Sequence, residues 1–253
     1  MKHLPNILTL GNLFFGCMAI VLVLHAQPFE GELNGEPLWI TGTEQMYYGS
    51  ICIFIAALCD LFDGMTARWL GVFSPIGKDL DSLADVVSFG VAPSMIMSKF
   101  LWSAWMKDPH AMDISIWALS PAFLIACFGA LRLARFNVMP ATTSYFTGVP
   151  IPAVGVVCAS FPLIAFYNPL NSSVFLYNPW VLLGIIALLC WLMVSKFKLF
   201  TLKFSSLSFA KNKAQYIWFA LSVVGAPFLK TLIIPFSFLL YIALSIAFKP
   251  TDS

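Results

Sequence analysis

Charge is what this chain has least of. Only 10% of its 253 residues are Asp, Glu, Lys or Arg, while 60% are hydrophobic and the mean hydropathy is +0.86. A soluble domain carries about a quarter charged residues. The deficit excludes an ordinary soluble enzyme and points to an all-α polytopic membrane protein, because helices satisfy their own backbone in lipid. Paired cysteine spacing is also missing. Cys17, Cys52, Cys59, Cys127, Cys158 and Cys190 are scattered through apolar segments, so neither a disulfide framework nor a thiolate metal site is expected. The three histidines, His3, His25 and His110, are isolated. There is no internal repeat or low-complexity linker, and nothing suggests a nucleic-acid partner. The N-terminal apolar run has no small-x-small cleavage site before Gln27 and reads as a retained helix.

The hydrophobic runs predict about eight spans, each near the ~20 residues a bilayer requires. They are expected at about 7–25, 46–69, 78–105, 114–135, 149–166, 180–194, 214–227 and 232–248, the last two being the shortest signals. One integral membrane domain over residues 1–253 is expected. Its motif-bearing core covers about 1–166, and C-terminal accessory spans cover about 178–248. Lys and Arg set the orientation. With the N-terminus inside, 11 of the 14 basic residues fall on the inner side, and only Lys99, Lys107 and Lys230 fall outside. The first loop, AQPFEGELNGEPLWITGTEQ, has four acids and no Lys or Arg. This reading puts both termini in the cytoplasm of a cell with the chain in its inner, cytoplasmic membrane. The basic connector Lys196–Lys213 would then lie on anionic lipid.

Five of the 12 acidic residues lie between positions 60 and 85, in CDLFDGMTARWLGVFSPIGKDLDSLAD. Carboxylates at a membrane edge are costly unless paired, solvated or bound to a cation. On helices, Asp60 and Asp63 share one face, and Asp81 and Asp85 share another. The short loop 71–77 makes the two helices antiparallel neighbours, so four carboxylates can meet in one pocket at the inner interface. Hard oxygen donors suit Mg²⁺ or Mn²⁺, and four of them can hold two divalent cations. Two such ions can clamp a phosphoryl group. Gly64 and Ala67 remove bulk beside the acids, Arg68 can pair with a phosphate, and Ser74 can donate to the same ligand. Solvated helix-end acids, a buried ion-pair network, or an ion or proton pathway would use the same residue types. The clustering of the acids on one side, rather than along a path across the bilayer, disfavours a transporter.

The spacing Asp60-x2-Asp63-Gly64-x2-Ala67-Arg68-x8-Gly77-x3-Asp81-x3-Asp85 fixes eight positions across 26 residues. Position for position it resembles the signature of the CDP-alcohol phosphatidyltransferase family. The segments DSLADVVSFGVAPS, RLARFNV, FTGVPIPA and PNILTLGNLFFG look like those of the family's bacterial membrane-integrated phosphatidylserine synthases. The likeness carries motifs over roughly the first 165 residues. It implies transfer of a phosphatidyl group from CDP-diacylglycerol to the hydroxyl of L-serine, giving phosphatidylserine and CMP. It further implies two divalent cations on Asp60, Asp63, Asp81 and Asp85, with Asp85 as the general base. Asn6, Thr9, Gly64, Ala67, Arg68 and Ser74 would contact the CDP-diacylglycerol. A homodimer is implied as well. For the serine carboxylate, Arg132 and Arg135, followed by Asn137, are candidates, and both arginines also fit positive-inside anchors. The signature alone leaves open a sister enzyme with another acceptor, such as glycerol 3-phosphate, inositol or inositol phosphate. A prenyl-diphosphate enzyme would carry a denser acidic run. A metal or ion transporter is the alternative of a different class.

Overall fold

The structure, a computed structural model, describes residues 4–26, 29–33, 36–40, 43–71, 75–107, 113–138, 146–200 and 212–248. The first apolar run is α1 (Leu4–His25), with Pro5 in its first turn, where a missing N–H costs nothing. The acidic loop contributes a small antiparallel hairpin of β1 (Phe29–Leu33) and β2 (Glu36–Ile40), with Phe29 opposite Ile40. Helix α2 (Thr43–Leu70) carries Asp60 and Asp63 and ends at Gly71, whose φ of 63° a residue with a Cβ would resist. Helix α3 begins at Pro75, earlier than the expected start near Lys78, and runs to Asp85. It passes without a break through a π-helical turn, Val86–Val91, into α4 (Ala92–Trp105).

A 3₁₀ segment, Ile116–Phe123, leads into α5 (Leu124–Val138). The chain then forms β3 (Phe146–Thr147), α6 (Ile151–Tyr167), the short α7 (Ser173–Leu176) and α8 (Pro179–Val194). Asn178 caps α8 by accepting from the N–H groups of Trp180 and Val181 at 3.0 and 3.3 Å. Strand β4 (Lys198–Leu199) pairs with β3, and α9 (Lys213–Leu229) and α10 (Ile233–Ala247) complete the chain.

Among the described residues, five helical stretches are long and apolar enough to cross a membrane: Leu4–His25, Glu44–Leu70, Ile76–Trp105, Ile116–Val138 and Lys213–Ala247. Ile151–Tyr167 and Pro179–Val194 are shorter apolar helices. The last long stretch doubles back. Trp218 Nε1 donates to Ser237 O at 2.9 Å, and the Ser222 and Ser237 hydroxyls meet at 2.9 Å. In one straight helix, residues 15–19 apart would be separated by about 22–28 Å. The reversal falls at Lys230, where φ is 51°. An apolar cavity of about 360 Å³ separates this hairpin from α6, lined by Ala153, Val157, Trp218, Ile234, Phe238 and Tyr241 among others.

The helix through α3, the π turn and α4 is the core of the bundle. Phe89, Ile96, Met97, Phe100 and Leu101 are buried within it, against Ile125 of α5 and Ile151 of α6. Two glycines let neighbouring backbones close on the π turn. A Cβ on Gly16 of α1 would lie 2.8 Å from Ser88 Cα, and one on Gly155 of α6 would lie 2.9 Å from Phe89 Cα. The helices alternate in direction, which sorts their ends. At one end Lys99 Nζ donates to Ala26 O at 3.2 Å beyond α1, the Tyr47 and Tyr167 hydroxyls meet at 3.3 Å, and Trp105 packs edge-on against Trp180. The other end gathers the start of α1, the α2–α3 junction and the end of α5. There Lys78 Nζ donates to Asn137 O at 3.1 Å.

Candidate active site

The acids meet at this second end. One carboxylate oxygen from each of Asp60, Asp63 and Asp81 lies within 4.8 Å of the others. Asp60 and Asp63 come from the last third of α2, three residues apart, and Asp81 comes from α3 across the junction. Asp85, one turn further along α3, lies outside that trio and close enough to feel all three charges. Asp63 and Asp85 are each 6% exposed, so bulk water does little to screen their mutual repulsion.

Helix α1 supplies the polar partners. The Thr9 hydroxyl lies 2.7 Å from Asp63 Oδ2 and 3.0 Å from Pro5 O. It has one proton, and the shorter, charge-assisted bond to the carboxylate is the stronger. One turn along α1, Asn12 Nδ2 donates to Asp85 Oδ1 at 3.2 Å. The Ser88 hydroxyl in turn donates to the Asn12 carbonyl at 2.9 Å. Ser82 accepts from Asn137 Nδ2 at 2.8 Å, which ties the end of α5 to α3 beside Asp81.

The donor set suits a hard divalent cation. Three carboxylates converge, and among the described residues no ion pair reaches any of the four acids. Asp81 Oδ1 is buried without a hydrogen-bond partner. An orphaned buried acceptor costs about 1–3 kcal/mol, more when charged. Only a cation, or a proton, relieves such a set.

The remaining expected residues divide by position. Gly64 and Ala67 are partly exposed beside the acids, and a Cβ on Gly64 would meet nothing within 4 Å, so that flank is open to a ligand. Arg68 is exposed in the last turn of α2, and Asn6 is partly exposed near the start of α1. Ser74 lies outside the described residues. Arg132 is 8% exposed, within electrostatic reach of Asp85, and its Nε has no hydrogen-bond partner. Arg135 is exposed, and Asn137 is engaged with Ser82. Sequence reasoning missed Asn12 and Ser88. The signal for Asn12 was present: Asn6, Thr9 and Asn12 recur every third residue in a run that is otherwise apolar, marking one polar stripe on α1.

A model of the CDP-alcohol phosphatidyltransferase family matches residues 2–194. The chain belongs to that family. The matched region ends with α8 and extends past the roughly 165 residues over which the motifs were legible; α9 and α10 fall beyond it. The family is metal-dependent, and its candidate metal site in this chain is the Asp60–Asp63–Asp81 trio. Among curated relatives, the archaetidylserine synthase of Methanothermobacter thermautotrophicus is 34% identical over 172 residues. That match covers 67% of this chain and 62% of the archaeal protein, less than two thirds of its length. The CDP-diacylglycerol–serine O-phosphatidyltransferase of Bacillus subtilis is 31% identical over 204 residues, covering 78% of this chain and 90% of that protein. The enzyme of the same name from Saccharomyces cerevisiae is 33% identical over 159 residues, 59% of this chain and 50% of the yeast protein.

Proposed function

We propose that this chain transfers the phosphatidyl group from CDP-diacylglycerol to the hydroxyl of L-serine, releasing phosphatidylserine and CMP. The observation that carries the reading is the convergence of four signature acids from α2 and α3 at one end of the bundle. The names of the relatives add the acceptor: serine is common to all three, while the lipid named differs between the archaetidylserine synthase and the other two.

Asp60, Asp63, Asp81 and Asp85 would hold two Mg²⁺ or Mn²⁺ ions. When bound, these supply neutralisation of the diphosphate charge. Asn6, Thr9, Gly64, Ala67 and Arg68 line the CDP-diacylglycerol side, where the open flank at Gly64 admits the ligand close to backbone and the Arg68 guanidinium suits a phosphate; Ser74, outside the described residues, is assigned to the same ligand by the family resemblance alone. On the acceptor side Arg132 faces Asp85 and is better placed than Arg135 for the serine carboxylate. Asp85 takes the serine hydroxyl proton as the serine oxygen bonds to the phosphorus that carries diacylglycerol. The bond from that phosphorus to the CMP oxygen breaks, and CMP leaves with the electron pair. Positioned proton transfer of this kind is worth about 10²–10⁴-fold.

The proposed topology is eight crossings by α1, α2, α3–α4, the 3₁₀ segment with α5, α6, α8, α9 and α10. Both termini and the acids would face the cytoplasm, with the chain in the inner membrane. One domain is proposed, with a motif-bearing core and the C-terminal spans as accessory elements. A homodimer is proposed from the family resemblance.

The test is CMP release from CDP-diacylglycerol by purified protein in detergent with Mn²⁺ or Mg²⁺, adding L-serine, glycerol 3-phosphate and inositol in turn. Serine-dependent release that drops about 10²-fold or more in Asp85→Asn is expected. Chelation by EDTA should abolish it, and added Mn²⁺ or Mg²⁺ should restore it. Release with another alcohol only would keep the family and overturn the acceptor. Vesicle transport of a divalent cation without any CMP release would overturn the enzyme.

A further inference from the structure

Asn12 is fully buried in the wall of α1 that faces the acids. Both its side chain and its backbone are bonded to the turn that carries Asp85. Its amide nitrogen donates to Asp85 Oδ1 at 3.2 Å, and its carbonyl accepts from the Ser88 hydroxyl at 2.9 Å. Gly16, one turn along, packs against Ser88 with no room for a Cβ. These contacts fix the register of α1 against the start of the π turn. That turn begins at Val86, immediately after Asp85, and its extra residue per turn rotates α4 relative to α3. Asn12 also has an unsatisfied atom: its Oδ1 is buried without a partner. A buried orphan lowers stability, and the one side-chain bond that sets a gain against that cost is the bond to Asp85.

We propose that Asn12 is a positioning residue for Asp85. The inference rests on the transfer reading above. Its N–H occupies Asp85 Oδ1 and stops the carboxylate from rotating, so Oδ2 is the oxygen presented to the acceptor hydroxyl. A neutral donor orients the base without cancelling its charge, which a lysine or arginine at this position would do. Thr9 does the same for Asp63 one turn earlier, so α1 orders one acid from each of the two acidic helices.

The experiment uses Asn12→Leu, which removes the donor and the orphan together, and Asn12→Ser as a smaller second variant. Four quantities are read in the full-length protein: kcat, KM for each substrate, Mn²⁺ affinity by calorimetry without substrate, and melting temperature in detergent. A positioning role predicts kcat lower by about tenfold or more in both variants, with both KM values and the Mn²⁺ affinity within about threefold of wild type. Asn12→Leu removes one buried orphan and leaves Asp85 Oδ1 as another, so its melting temperature should stay close to that of wild type. A kcat within about twofold of wild type would overturn the proposal, as would a loss that follows reduced Mn²⁺ binding or a lowered melting temperature. Wild-type protein that releases no CMP with serine would instead sink the acceptor reading, and Asn12 would then be scored with whichever alcohol supports release.

Discussion

Arg132 and Arg135 stand three residues apart on α5, and helical spacing alone gives them the same face. The structure separates them: Arg132 is buried within electrostatic reach of Asp85, with its guanidinium 5.9 Å from the Phe136 ring centroid, and Arg135 is exposed. Three residues are about five sixths of a turn, so Arg135 is offset by about 60° from Arg132, and that offset puts it on the exposed flank of α5. If Arg132 holds the serine carboxylate, Arg132→Lys loses the planar fork but keeps the charge. The KM for serine should rise about tenfold, equivalent to about 1.4 kcal/mol, while the KM for CDP-diacylglycerol stays within about twofold. Charge reversal at Arg135 should move neither by more than about twofold. Equal increases in both KM values for Arg132→Lys would remove it from the acceptor side. The four acids were legible in the sequence because helix periodicity forces Asp60 with Asp63 and Asp81 with Asp85, and the short junction forces the two pairs together. What periodicity cannot give is the third wall. Thr9 and Asn12 reach the acids only because α1 packs across both helices, 54 and 73 residues away in the chain.

Helix positions were read closely. Spans expected at 149–166 and 180–194 are found as Ile151–Tyr167 and Pro179–Val194, since long apolar runs have little choice in lipid. The π turn was not legible: VVSFGV is as apolar and regular as the helix on either side, and only packing against Gly16 and Gly155 marks it. The hairpin of β1 and β2 escaped because a short, acidic, Gly-containing loop has no clear alternation. The glycines now divide into two kinds that one experiment separates. Gly16→Ala and Gly155→Ala each push a Cβ against backbone, at 2.8 and 2.9 Å, where no flexible side chain can yield. Each should cost about 1–3 kcal/mol of stability, read as a lower melting temperature in detergent. Gly64→Ala has open space around its Cβ and gains helix propensity, so the melting temperature should hold or rise by the equivalent of up to about 1 kcal/mol. Activity should fall all the same, with a raised KM for CDP-diacylglycerol, because the added methyl projects into the flank left open for the ligand. A Gly64→Ala enzyme with unchanged KM would remove that flank from the binding surface.

At the scale of the whole molecule the two ends differ in chemistry as well as in chain direction. The end away from the acids is aromatic: Tyr47, Tyr167, Trp105, Tyr177 and Trp180 gather there, and Lys107 Nζ lies 4.0 Å from the Tyr177 ring centroid. Amphipathic rings with a lysine among them are characteristic of a membrane–water boundary. The acidic end holds Arg68, Lys78 and Arg135, and the start of α6 joins the end of α8 there through Gly148 N–H to Phe197 O at 3.1 Å. The bias of basic residues toward the cytoplasm predicts that this second end faces inward, as in the proposed topology. Single cysteines in a parent lacking the six native ones test this directly. Lys107 and Lys196 are both exposed and lie at opposite ends. With a membrane-impermeant maleimide, Lys107→Cys should label in intact cells and Lys196→Cys only after permeabilisation. The reverse pattern would invert the protein and put the acids outside. Labelling of both in intact cells would place α4 and α8 in a different relation to the membrane and remove the eight-crossing topology.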